Sequence, residues 1–84
     1  MKPLVRIMHN QYVRVIGLSE LERTKIRGEI MTLYRQMEIT LEISETEGRF
    51  LDITFPGIFE RVNRLSVLNA LKADLEELTK RFET

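Results

Sequence analysis

The sequence predicts an α+β domain in which two helices pack on one face of an antiparallel sheet of three or four strands. Alternating apolar and polar residues occur in two pairs of short segments, which is typical of two β-hairpins. Each pair is followed by a segment with apolar residues at helical spacing, so the order is hairpin, helix, hairpin, helix. A chain of 84 residues has the length of a single domain, residues 1–84.

The first hairpin is predicted over residues 4–16, LVRIMHNQYVRVI. Pairing Met8 with Tyr12 gathers the valines and one isoleucine on one face and places Arg6 opposite Arg14 on the other. Like charges directly opposite each other destabilise a strand pair unless an opposite charge lies nearby. The alternative is that only the second of the two segments forms a strand and that the N-terminus is loose.

The first helix is predicted from Glu20 to about Gln36. Ser19 and Glu22 have the spacing of a capping box, in which each side chain accepts from the backbone N–H of the other residue. Gly28 falls in the middle of this helix, where either a close approach of another element or a tolerated accident would explain it. The apolar stripe of the helix consists of Ile26, Ile30, Leu33 and Met37.

The second hairpin is predicted over residues 38–55. The favoured register pairs Ser44 with Phe50 across a loop of five residues and places the aliphatic side chains of both strands on one face. It also places Glu42 opposite Asp52. If the two hairpins lie in one sheet, the arginine pair and the carboxylate pair can lie side by side and neutralise each other.

The remaining segment, Ile58 to Phe82, has the apolar spacing of a second helix. Unbroken, it would measure about 37 Å. This length is large for so small a domain, so we expect either a kink near residues 63–66 or C-terminal turns that extend past the sheet. The sequence also contains a short internal match, in which residues 12–15 (YVRV) lie over residues 50–53 (FLDI), and chance alone could produce it.

The composition argues against several classes of site. The chain has no cysteine and one histidine, so we expect neither disulfides nor a metal site. No Gly-rich phosphate loop occurs, and His9 lies in a predicted turn, so we expect no enzyme and no cofactor. No apolar run reaches the length of a membrane span, and no signal peptide is expected, so we expect a cytoplasmic protein without a membrane partner.

The favoured function is a non-catalytic regulatory or adaptor role, exerted through contacts with another protein or with a second copy as a homodimer. Small domains often rely on oligomerisation for stability. Methionine and aromatic residues are enriched in interfaces, and the end of the last helix carries a seam of the kind that pairs helices. The candidate contact residues are Met8, Tyr12, Phe50, Leu75, Leu78 and Phe82.

The alternative function is binding of an anion or a nucleic acid by the basic N-terminal half. Residues 1–36 carry seven basic and three acidic side chains, whereas residues 37–84 carry six basic and ten acidic ones. The net charge of zero is lower than that expected of a nucleic-acid-binding domain, and the two halves can also simply attract each other. The candidate contacts are Arg6, Arg14, Lys25 and Arg27.

Overall fold

The structure is a computed structural model that describes residues 2–56 and 63–83. The described residues form an α+β fold in the predicted order, which confirms the predicted fold class. The elements are β1 (Leu4–Met8), β2 (Tyr12–Ile16), α1 (Glu20–Gln36), β3 (Glu42–Thr46), β4 (Phe50–Thr54) and α2 (Arg64–Thr79), followed by a short 3-10 helix (Lys80–Phe82).

The four strands form one antiparallel sheet in the order β1-β2-β4-β3. The first hairpin has the predicted register, with Met8 opposite Tyr12 and Arg6 opposite Arg14. The two hairpins meet through β2 and β4, where Arg14 lies opposite Asp52. The edges of the sheet are therefore β1 and β3.

The predicted register of the second hairpin is wrong by two residues. Phe50 lies opposite Thr46 rather than Ser44, and Asp52 lies opposite Ser44 rather than Glu42. A shift of two residues leaves every side chain on its predicted face, because side chains alternate with a period of two along a strand. The faces were therefore predicted correctly, but the opposed carboxylate pair does not exist.

The two hairpins share the same tight turn, which accounts for the corrected register. The first turn has positive φ at His9 (53°) and Asn10 (56°), and the second has positive φ at Glu47 (55°) and Gly48 (66°). A backbone hydrogen bond of 2.9 Å closes the first turn and one of 3.1 Å closes the second. Two consecutive residues with positive φ are typical of the type I′ turn, whose twist matches that of paired strands. The loop of five residues that was predicted for the second hairpin would lack this type I′ turn.

The two halves of the sheet repeat at a fixed spacing. Arg14 and Asp52 are 38 residues apart, and the same spacing relates β1 to β3 and β2 to β4. The central register is symmetric about this pair, so a local twofold axis passes between Arg14 and Asp52. The strands and turns thus follow the internal match seen in the sequence, whereas α1 and α2 begin 44 residues apart, at Glu20 and Arg64.

The helices cover one face of the sheet, and each contacts the hairpin of the other half. Helix α2 packs on β1, β2 and α1. Helix α1 reaches the second hairpin through Arg23, which bonds to Glu45 and to the Gly48 carbonyl oxygen. The core side chains that are completely buried are Val13, Val15, Ile26, Ile30, Leu51, Ile53, Leu68, Leu71 and Leu75.

Helix α1 has the predicted bounds and the predicted cap. The Ser19 N–H donates to Glu22 Oε1 at 2.8 Å, and the Glu22 N–H donates to Ser19 Oγ at 3.2 Å. A Cβ added at Gly28 would have no heavy atom of another element within 4 Å. No close approach therefore explains this glycine, and the site is a solvent-facing position that tolerates it.

Helix α2 is shorter than the helix predicted from Ile58 to Phe82, whose first residues lie outside the described part of the chain. It begins at Arg64, capped by the Asn63 side chain, which accepts from the backbone N–H of Ser66 at 3.3 Å. The helix does not extend past the sheet as an apolar seam. Leu75 is 0% exposed, and Leu78 and Phe82 pack against the same core.

Candidate functional site

The face of the sheet opposite the helices, called the open face below, is the candidate site. The side chains of the open face form three rows across the sheet, which follow from the strand registers. Between β2 and β4, the register is continued by one residue at each end. The rows are a first row of Met8, Tyr12, Thr54 and Glu42, a middle row of Arg6, Arg14, Asp52 and Ser44, and a third row of Leu4, Ile16, Phe50 and Thr46.

An ion pair between Arg14 and Asp52 lies at the centre of the open face. Arg14 Nε donates to Asp52 Oδ1 at 2.9 Å and Arg14 Nη2 donates to Asp52 Oδ2 at 3.1 Å. The Thr46 hydroxyl donates to the same carboxylate. Asp52 is only 9% exposed, and this burial acts to raise its pKa, but the bonds from Arg14 and Thr46 outweigh it and hold the pKa below its usual value. The pair is therefore charged at neutral pH.

The Arg14–Asp52 ion pair explains why two arginines can lie opposite each other in the first hairpin. Arg14 is neutralised by Asp52 on the neighbouring strand, which relieves its repulsion from Arg6. Glu42 lies too far along β3 to join the pair, so the predicted cluster of four charges is wrong in this respect. Arg6 and Glu42 are exposed, and neither forms an ion pair with another described residue.

Two aromatic rings are held in place around Arg14. Its guanidinium carbon lies 4.3 Å from the centre of the Phe50 ring and 5.6 Å from that of the Tyr12 ring. Arg14 Nη2 also donates to the Tyr12 hydroxyl at 3.4 Å, and the Arg49 guanidinium lies 4.7 Å from the Phe50 ring. Cation–π contacts of this kind orient rings while leaving part of their surface accessible. Tyr12 and Phe50 are accordingly half-buried rather than covered.

The structure brings together only some of the predicted protein contacts. Met8, Tyr12 and Phe50 share the open face. Leu75 is a core residue, which corrects its assignment to a contact surface, because the sheet and the helices enclose it. Leu78 and Phe82 are half-buried against the core in the helix layer, on the opposite side of the sheet from the open face.

The four predicted anion contacts do not form one surface. Arg6 and Arg14 lie on the open face, whereas Lys25 and Arg27 belong to α1 in the helix layer. Arg27 Nη2 donates to Glu45 Oε2 at 2.7 Å, so its charge is paired within the molecule. Arg14 is likewise paired with Asp52. Two of the four cations are therefore already neutralised.

Arg23 is a key residue that the sequence reasoning missed. It is 7% exposed and donates to Glu45 Oε1 at 2.7 Å, to the Leu18 carbonyl oxygen at 2.8 Å and to the Gly48 carbonyl oxygen at 2.9 Å. Its bond to Glu45, and to a lesser degree the bond from Arg27, hold the Glu45 pKa below its usual value. Arg23 has the helical spacing of the apolar stripe, and a cation in that stripe is a signal that could have identified it.

Asp52→Asn is expected to lower the free energy of unfolding by about 2 kcal/mol at neutral pH, because Arg14 would lose its counter-ion in a largely buried site. The folded-state pKa of Asp52 lies below its ordinary value, so the carboxylate stabilises the fold above the ordinary carboxyl range. This contribution is lost as the pH falls through the folded-state pKa. Urea unfolding of both proteins from about pH 7 to about pH 2 should therefore show the difference shrinking in acid.

The matched control for this substitution is Glu38→Gln, which removes an exposed carboxylate that lies outside the open face. Its effect on the free energy of unfolding should stay within about 0.5 kcal/mol at every pH. A loss for Asp52→Asn that is equally large in acid and at neutral pH would contradict the role given to the Arg14–Asp52 ion pair.

A groove adjoins the first row of the open face and is lined by His9, Tyr12, Glu42, Thr54 and Arg64, among others. The guanidinium of Arg64 donates to the Gln11 carbonyl oxygen at 2.9 Å and to the Thr54 hydroxyl at 3.0 Å, so it braces the first turn against β4. The groove therefore extends the polar margin of the open face.

Two findings about the structure and the comparison with known proteins bear on the assignment of a function. Within residues 2–56 and 63–83, no group of three or more His, Cys, Asp and Glu side chains is arranged to hold a metal ion. In the same part of the chain, no helix has the length and apolar character needed to cross a bilayer. No protein-family model, no curated protein and no solved structure matches this chain.

Proposed function

We propose that this chain is a non-catalytic protein-binding domain with a regulatory or adaptor role in the cytoplasm, and that the open face is its contact surface. The observation that carries the proposal is a sheet face that no helix or strand of residues 2–56 and 63–83 covers and that combines aromatic, aliphatic and arginine side chains. The cytoplasmic placement is supported by the lack of cysteine, which suits a reducing compartment.

The composition of the open face supports this proposal. The solvent-facing side of an antiparallel sheet is normally polar. Here the first and third rows include Met8, Tyr12, Ile16 and Phe50, which are half-buried, and Leu4, which is 47% exposed. Methionine, aromatic residues and arginine are the residue types enriched in protein interfaces, so the departure from a polar face is in the direction of an interface.

The rigidity of the surface gives further support. Arg14 is fixed by two hydrogen bonds to Asp52, and in turn it contacts the rings of Tyr12 and Phe50. Side chains that are already ordered lose less conformational entropy when a partner binds. Tyrosine and arginine at the centre of a surface are also the residues that most often dominate binding energy. The centre of the open face thus has the character of a preorganised contact site.

Anion or nucleic-acid binding is the weaker candidate. Arg14 and Arg27 are paired within the molecule, and Lys25 lies on the other layer. Stacking of bases requires accessible aromatic faces. The Phe50 ring already contacts the guanidinium groups of Arg14 and Arg49. We therefore expect no gel shift of single-stranded nucleic acid at low salt.

The proposal can be tested by photo-cross-linking in the cells from which the sequence comes. A benzophenone side chain placed at Tyr12 reports on the open face, and the same group at the exposed Lys25 is the matched control in the helix layer. We expect discrete protein adducts from position 12 that disappear when Phe50→Asp is added, and none of these from position 25. Identical adducts from both positions, or no adduct from position 12, would exclude the open face as the contact surface.

A further inference from the structure

The charges of the open face are divided between the two hairpins. In the middle row, both cations, Arg6 and Arg14, belong to the first hairpin, and the carboxylate of Asp52 belongs to the second. The other carboxylate of this face, Glu42, also belongs to the second hairpin. Among the strand residues of this face, both cations therefore belong to the first hairpin and both carboxylates to the second.

Two of these charges have no partner within the described part of the chain. Arg6 and Glu42 are both exposed, and neither forms an ion pair with another described residue. They lie on the edge strands β1 and β3, at opposite sides of the same face. A surface that carries an unpaired cation on one side and an unpaired anion on the other is complementary to itself after a half-turn.

We propose that the open face binds a second copy of this chain, with the first hairpin of each copy packed on the second hairpin of the other. The inference rests on the proposed function and names its partner. A twofold axis parallel to the strands places Arg14 of one copy over Asp52 of the other, and the reverse. Arg6 then lies over Ser44 and within reach of Glu42, which is two residues along β3.

The charge pattern selects this arrangement over the other face-to-face arrangement. A twofold axis perpendicular to the strands would place Arg6 over Arg6 and Arg14 over Arg14 of the second copy. Like charges placed face to face across an interface oppose association. With the axis parallel to the strands, each contact between opposite charges instead forms twice. This arrangement also places Ile16 of each copy over Phe50 of the other. Two sheets packed in this way form a sandwich about 10 Å thick.

The size of the sheet sets the expected strength of the dimer. Four strands at their usual spacing are about 19 Å wide, and five residues of strand are about 17 Å long. Such a face lies at the low end of the interfaces that hold proteins together. We therefore expect a reversible dimer that dissociates on dilution and whose association weakens as salt screens the rim charges.

Charge reversal provides the test, with self-association measured by analytical ultracentrifugation over a range of concentrations. The wild-type chain should approach twice its mass of 9.9 kDa. Arg6→Glu alone and Glu42→Arg alone should each weaken self-association by about tenfold or more, because each brings like charges together. An equimolar mixture of the two variants should restore association, since each altered side chain then faces the opposite charge on the other variant.

The control is Lys25→Glu, which makes the same change of charge as Arg6→Glu on an exposed residue of the helix layer and should leave association unchanged. Circular dichroism checks that each variant keeps its fold. A wild-type chain that stays monomeric at all concentrations overturns the inference. A dimer that ignores both reversals, as pairing through the helix layer would, overturns it as well.

The cross-linking experiment separates failure of this inference from failure of the proposed function. An adduct from position 12 with twice the mass of the chain supports both. A discrete adduct with another mass, together with a monomeric chain, supports protein binding by the open face and overturns the second copy as its partner. A monomeric chain without any adduct overturns both.

Discussion

Leu75→Ala is expected to lower the free energy of unfolding by about 2–5 kcal/mol. Leu75 is completely buried beneath the sheet, so the substitution removes buried methyl groups and leaves a cavity that the packed core fills only in part. A small domain has about 5–15 kcal/mol of stability in total, so the loss is a large share of it. Urea unfolding followed by circular dichroism measures it directly.

Leu65→Ala on the same helix is the matched control, because Leu65 is 44% exposed. Its effect on the free energy of unfolding should lie within about 0.5 kcal/mol. If Leu75→Ala instead promoted dissociation of a dimer without changing the stability of the monomer, Leu75 would be a contact residue after all and its place in the core would be refuted.

Arg23→Ala is expected to lower the free energy of unfolding by about 3 kcal/mol. The substitution leaves the Leu18 and Gly48 carbonyl oxygens without their donor and deprives Glu45 of its better buried counter-ion. Arg23→Lys should recover little of this loss, because a single ammonium group cannot reproduce the fork that reaches three acceptors. Thermal and urea unfolding of both variants measure the effect.

Arg27→Ala is the control for Arg23, since Arg27 pairs with the same carboxylate of Glu45 from a more exposed position. Exposed ion pairs contribute about 0–1 kcal/mol, so this variant should be nearly as stable as the wild type. Equal losses for the two variants would show that the ion pair with Glu45 matters and that the bonds of Arg23 to the backbone do not.

Local pattern was sufficient to predict the type and order of the elements and the face on which the side chains of the strands lie. The bounds of α1 follow from the capping box at Ser19, and Arg6 opposite Arg14 follows from the alternation of the first hairpin. The register of the second hairpin was missed because alternation is unchanged by a shift of two residues. The decisive feature was the positive φ of Glu47 and Gly48, which alternation does not report.

The central features of the candidate site depend on contacts between distant segments. The ion pair of Arg14 with Asp52 requires β2 to lie beside β4, and strand order is not encoded in either strand alone. Leu75 was recognisable as part of an apolar stripe, but periodicity does not tell whether the same chain or another one covers the stripe. Met8, Tyr12 and Phe50 could be placed on one face because that required only their parity along the strands.

The exchange of helices between the two halves has a consequence for folding. Helix α2 lies on the hairpin that begins the chain, and Arg23 of α1 bonds to the turn of the hairpin that follows it. Neither hairpin-plus-helix segment can therefore complete its own core, and a fragment that ends after α1 should remain unstructured. The two segments must assemble in one cooperative transition, which depends on contacts far apart along the chain and is correspondingly slow for a protein of this size.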